Sequence, residues 1–152
     1  MALRKRVRKW LKSVICGETG AVNVVVMALI LPLILYLGYS GIMNSHKGDI
    51  KQTLENAAAT ASRDYAEYQD VTHAQGLSYT VVSGSLPVNS GQYNQGVDCQ
   101  VSDITVNGTE YAQAVVDYHY PVPIPTLPEL LGGQAMGSTE TVWGTAEFPV
   151  GA

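Results

Sequence analysis

Side chains able to do chemistry are few in this 152-residue chain, and their spacing organises none of them into a reactive centre. The three histidines, His46, His73 and His119, fall in three different predicted elements, and no spacing among them matches a metal site. Ser40 lies in Gly38-Tyr39-Ser40-Gly41, one residue short of a nucleophile elbow and inside an apolar stretch. There is no phosphate loop and no dinucleotide fingerprint. The acidic residues after Arg63 are spaced like a solvated surface, and nothing selects a carboxylate pair for acid–base work. The expectation is therefore no catalytic residue, no cofactor, no metal and no enzyme.

The elements that would carry these groups are set by one stretch. Residues 21–43 contain no charge and, at about 1.5 Å per residue, span roughly 34 Å as a helix, enough for a bilayer core about 30 Å thick. Asn23, Tyr36, Tyr39 and Ser40, its few polar residues, sit near the two ends. Pro32 predicts a bend, which membrane helices tolerate. A cleaved secretory signal is the competing reading, opposed by the length of the apolar run and by the lack of an A-x-A-like site after it.

Charge then gives an orientation. Arg4, Lys5, Arg6, Arg8, Lys9 and Lys12 precede the stretch, and only Lys47, Lys51 and Arg63 follow it, although the net charge is −4. The positive-inside rule places the basic leader, residues 1–20, in the cytoplasm and exports the C-terminal part. The leader has the pattern of an amphipathic helix on anionic lipid, and that topology accounts for its charge without nucleic acid. Cys16 and Cys99 then fall on opposite sides of the membrane. Cys99 is either a buried small hydrophobe or the partner of an intermolecular disulfide.

Residues 44–70 repeat apolar side chains at spacings of three and four: Ile50, Leu54, Ala57, Ala58, Ala61, Tyr65 and Tyr68. This predicts an amphipathic helix over 44–75, with Asp64 on its polar surface, either continuous with the span or hinged at Gly48. The small residues from Ala57 to Ser62 fit two uses, packing on the chain's own sheet or close approach of a partner helix. From residue 76 the period changes to two. Leu77, Tyr79 and Val81 predict a first short strand, followed by a loop over 83–96.

Asn107-Gly108 predicts a hairpin between strands at 97–106 and 109–120, with Val106 opposite Thr109. That register aligns Val101 with Ala114, Cys99 with Val116 and Val97 with Tyr118 on one face, and Ile104 with Tyr111 on the other. Pro121, Pro123, Pro125 and Pro128 predict an extended crossing with a helical turn at its end. A last strand over 139–148 carries Val142, Ala146 and Phe148 on one side and Trp143 on the other. The class is α+β: an N-terminal transmembrane helix continuing into a long amphipathic helix that packs on a small antiparallel sheet, with the sheet domain over 76–152.

Taken in order, the basic leader, Gly20-Ala21-Val22, Leu31-Pro32-Leu33 in the apolar helix and Leu54-Glu55-Asn56-Ala57-Ala58 opening an alanine-rich helix resemble the TadE/TadG-like proteins. These are minor pseudopilins of the bacterial tight-adherence (Flp) pilus system. Tyr118-His119-Tyr120-Pro121, Leu-Leu-Gly-Gly at 130–133 and a closing strand with Ala146 are similar to the end of that family's ectodomain. Val25 and Val26 stand where the family commonly carries a glutamate.

The resemblance implies a structural component of a pilus or secretion machine, single-pass in the bacterial cytoplasmic membrane. Its partners would be membrane lipid, other pilins or pseudopilins and the pilus assembly platform, in a homo- or hetero-oligomer. Gly17 and Gly20 are the possible processing site. The expected assembly interface is Gly41, Ser45, Ile50, Leu54, Ala58, Ala61 and Tyr65, because a small sheet would cover this stripe only in part. The alternative function is a single-pass envelope receptor with a ligand-binding exported domain.

Overall fold

The computed structural model describes residues 18–89, 91–129 and 133–151. Residues 1–17 of the basic leader, with Cys16 and Gly17, lie outside the described residues, as does most of the Leu-Leu-Gly-Gly segment. The elements are α1 (Glu18–Tyr68), α2 (Val71–Ser85), α3 (Gln95–Asp98), β1 (Cys99–Val106), β2 (Thr109–Pro121) and β3 (Thr139–Pro149). The class is α+β, as expected from the sequence. The chain divides into two compact units, Met1–Ile42 and Met43–Ala152.

In the first unit, residues 24–31 are all exposed, with Leu29 at 72 % and Met27 at 66 %. Among the described residues, one helix, near the N-terminus, is long and apolar enough to cross a membrane. It is helical through Pro32.

In the second unit, α1 is helical through Gly48, so the hinge expected there as an alternative is absent. The three strands form one antiparallel sheet in the order β1-β2-β3. Asn107 and Gly108 both have positive φ, 54° and 82°, as a type I′ turn requires, and Val106 pairs with Thr109. Cys99–Val116, Val101–Ala114 and Ile104–Tyr111 pair as expected, and the first two rows extend to Gly144 and Ala146 of β3.

Along β3, Glu140 meets Lys47, Gly144 meets Leu54 and Glu55, and Phe148 meets Arg63. Sixteen helical residues at about 1.5 Å match eight strand residues at about 3.3 Å, so α1 runs along β3 in the same direction. The match lets one stripe of the helix touch the sheet over the strand's whole length. Ile50, Leu54, Ala57, Ala58 and Ala61 form the core with Ala112, Ala114, Val116 and Tyr118. A Cβ on Gly144 would stand 2.5 Å from the backbone of Leu54 and Glu55, so helix and strand touch almost backbone to backbone.

Several expectations for the segment after α1 are corrected. The first helix stops at Tyr68, which is 62 % exposed rather than part of the stripe. Gln69 turns the chain with φ 55°, and the Asp70 carboxylate accepts from the Thr72 and His73 N–H groups, capping a second helix. Leu77, Tyr79 and Val81 therefore lie in α2, not in a strand, because Ala74, Ser78 and Val82 at four-residue spacing form its buried stripe. Asp64, expected on the surface, is buried against His73.

β1 begins at Cys99, and Val97 is exposed in α3 rather than paired with Tyr118. The loop before α3 takes the place of that pairing. Gln92 C=O accepts from His119 N–H at 2.9 Å, and the Tyr118 hydroxyl donates to Pro87 C=O at 2.9 Å. Just beyond this same C-terminal end of β2 the crossing folds on itself, with Val122 N–H donating to Ser138 and Met136 N–H to Pro125.

Candidate assembly surface

The seven residues expected to form an assembly interface separate into two groups. Ile50, Leu54, Ala58, Ala61 and Tyr65 lie in the chain's own core, and Leu54, Ala58 and Ala61 have no exposure at all. Tyr65 donates its hydroxyl to Asp103 Oδ2 at 3.3 Å, tying α1 to β1. Burial raises the pKa of this phenol, as does the Asp103 charge. The expectation that the sheet covers this stripe only in part is thus corrected: with Gly144 beneath it, the stripe is fully occupied from within.

Gly41 and Ser45 are exposed, and a Cβ at Gly41 would meet nothing within 4 Å. Of the two glycines named for processing, Gly20 falls within α1. Among the described residues, the exposed surface includes most of the apolar residues 24–42 and, from the expected interface, Gly41 and Ser45. The opposite face of α1 in the second unit is polar, with Asn56, Thr60, Arg63 and Glu67 bordering a shallow groove beside Leu77 of α2.

Three polar clusters connect the elements, and none was visible as a motif. In the first, the Ser78 and Tyr93 hydroxyls are 3.2 Å apart, next to Cys99. Burial pushes Tyr93 up from 10.0 to about 12 and also raises the Cys99 thiol. Cys99 is free and without exposure, which decides for the buried reading over an intermolecular disulfide. A thiol that is protonated and enclosed is a poor nucleophile.

In the second cluster, Asp64 Oδ2 and His73 Nδ1 are 2.8 Å apart, joining α1 to the start of α2. The third places Asp98, His119 and Thr141 in line. His119 Nε2 stands 3.5 Å from Asp98 Oδ1, and its Nδ1 3.1 Å from the Thr141 hydroxyl. Acid, imidazole and hydroxyl follow in the order that hydrolases use. Here, however, His119 and Thr141 are direct cross-strand partners and the hydroxyl is on an exposed residue of an edge strand. What the contacts do is fasten α3 and β3 to β2. Burial and the Asp98 charge raise the neighbouring Asp117 carboxyl, and His119 opposes them.

Among the described residues, no group of three or more His, Cys, Asp or Glu is placed to hold a metal ion. The signal for the Asp64–His73 contact was the Asp70 cap, which brings both sides of the turn together. No family model, no curated protein and no solved structure matches this chain.

Proposed function

We propose that this chain is a membrane-anchored structural component of a tight-adherence pilus or related secretion machinery, of the TadE/TadG-like kind. It is inserted once in the bacterial cytoplasmic membrane with its N-terminus in the cytoplasm and its C-terminal domain exported. The observation that carries the reading is that one chain combines an exposed apolar helical segment with a second unit whose own core is built on the amphipathic part of α1 from Met43 onward. A receptor domain gains from a flexible tether that lets it search for ligand. A subunit that transmits position from a membrane to an assembly gains from a helix built into its core.

Assembly then falls to the exposed part of the expected interface. Gly41 and Ser45 lie one turn apart at small-xxx-small spacing, which lets a second helix approach closely. Leu54→Arg would place a charge in the core and unfold the second unit, so its phenotype cannot report on assembly. The informative variants are Gly41→Cys and Ser45→Cys, one at a time, in a background lacking Cys16 and Cys99. Each should crosslink in cells to a second copy or to another small membrane protein, with pilus assembly retained at low oxidant. Normal piliation in a strain deleted for the chain, with no crosslinked species at either position, would refute the proposal and favour the receptor reading.

A further inference from the structure

The end of the second unit that receives the chain from residue 42 differs in composition from the rest of that unit. Met43 is buried there, and the Tyr120 hydroxyl donates to its Sδ at 3.7 Å. One helical turn on, Lys47 Nζ pairs with Glu140 at 2.6 Å. β2 leaves the sheet at this level, and the crossing that follows, residues 121–138, contains a single charged residue, Glu129. By contrast, the chain beyond residue 42 holds twelve acidic and three basic side chains. Two of the three basic ones, Lys47 and Lys51, are at this end.

Large apolar side chains are exposed at the same end. Ile124 is 46 %, Met136 38 % and Trp143 57 % exposed, and Lys51 Nζ lies 6.0 Å from the Trp143 ring. The Met136–Pro125 and Val122–Ser138 backbone bonds hold both limbs of the crossing together, so Ile124 and Met136 belong to one surface. Aromatic and lysine side chains side by side, with the apolar body and the charged head separated, are the pattern of interfacial anchors.

We infer that this end of the second unit docks on the lipid surface, with Ile124 and Met136 in the acyl boundary and Trp143, Lys47 and Lys51 at the headgroups. The inference rests on the reading of residues 21–43 as a span. Lipid is the occupant because of connectivity: Ile42 directly precedes Met43, which keeps this end within reach of the bilayer at high effective concentration. Charge favours the same orientation through the rest of the unit: anionic headgroups repel its acidic remainder, whereas at this end Lys47 is balanced by Glu140 and Lys51 by Glu55 at 3.8 Å.

The test uses the full chain with Trp10→Phe, which leaves Trp143 as the sole tryptophan. The protein is reconstituted into phosphatidylcholine–phosphatidylglycerol vesicles with or without brominated acyl chains, and insertion is read by flotation after alkaline carbonate. Expected are flotation and a roughly twofold loss of Trp143 emission when the bromines lie near the headgroup end of the acyl chains, since an interfacial aromatic ring sits at headgroup level, beside them. Ile124→Asp with Met136→Asp should float and melt like the parent while losing most of the quenching.

Flotation with an unquenched Trp143 that acrylamide reaches freely would overturn docking alone. A Trp143 shielded from both quenchers would overturn it in favour of a protein partner. Quenching unchanged in the double variant would reduce it to simple tethering and overturn it too. Failure to float would instead overturn the span, and docking with it.

Discussion

Residues 24–42 and 43–68 belong to one helix but use apolar side chains in opposite ways. In the first stretch, valine, leucine, isoleucine and methionine are large and exposed around most of the helix; in the second, the apolar side chains form one buried stripe with Ala57, Ala58 and Ala61 at its centre. A hydrocarbon surround, as proposed for the first stretch, asks only for apolar area on all sides, and it adapts to shape. A sheet surface is rigid, so a helix that lies on it must be matched position by position. The missing side chain at Gly144 is what allows the Leu54–Glu55 backbone to approach the sheet closely. One stretch therefore depends on composition, and the other on fit.

The sharpest way to break this contrast is Gly144→Val. Its Cβ would stand 2.5 Å from backbone atoms of Leu54 and Glu55, neither of which can move without shifting the helix. We expect a loss of about 3 kcal/mol, the upper part of the range for overpacking. Chemical denaturation of the full chain in detergent micelles, followed by near-UV circular dichroism, measures it. An unchanged midpoint would mean that α1 does not rest on β3.

Gly108→Val comes next, and it separates two reasons for glycine. A Cβ at Gly108 would meet nothing within 4 Å, so the cost comes from φ alone, which is 82°. A β-branched residue held there should lose about 2 kcal/mol. The same denaturation measures it, with the loss appearing although no contact is disturbed. Equal stability of variant and parent would refute the type I′ turn.

These two glycines also show what was legible in the sequence. The hairpin was, because its turn residues and the alternation on both sides are local and agree on one register. α2 was not: Leu77, Tyr79 and Val81 alternate like a strand, and helix formation was decided by the Asp70 cap and by burial of Ala74, Ser78 and Val82. The stripe from Ile50 to Tyr65 was legible as a face that must be covered, but its partner was not, since periodicity says nothing about which surface lies opposite. Gly144 held the missing signal. A glycine in the interior of a strand marks a close backbone approach, and here it identifies the sheet as what covers the stripe. Asp64, Asp98 and His119 meet partners across turns and strands that only the fold brings together.

The smallest expected effect, opposite in sign, concerns the first turns of the packed part of α1. Gly48 is helical, has ordinary negative φ and has open space where a Cβ would go. If the helix is continuous there, Gly48→Ala removes freedom from the unfolded chain without strain in the folded one. It should add about 0.5–1 kcal/mol to the stability of the second unit. The neighbouring Lys47–Glu140 pair gives the variant a local reporter, because it needs Lys47 held in helical geometry on the side facing β3. Comparing Gly48→Ala with and without Glu140→Gln then sharpens the reading. In a continuous helix the two changes act separately and their effects add. In a helix that bends at Gly48, straightening by alanine would shift Lys47 relative to β3, and the gain would vanish or depend on Glu140. Additive gain supports an unbroken helix over these turns; a loss of stability on Gly48→Ala would show that the helix bends at residue 48.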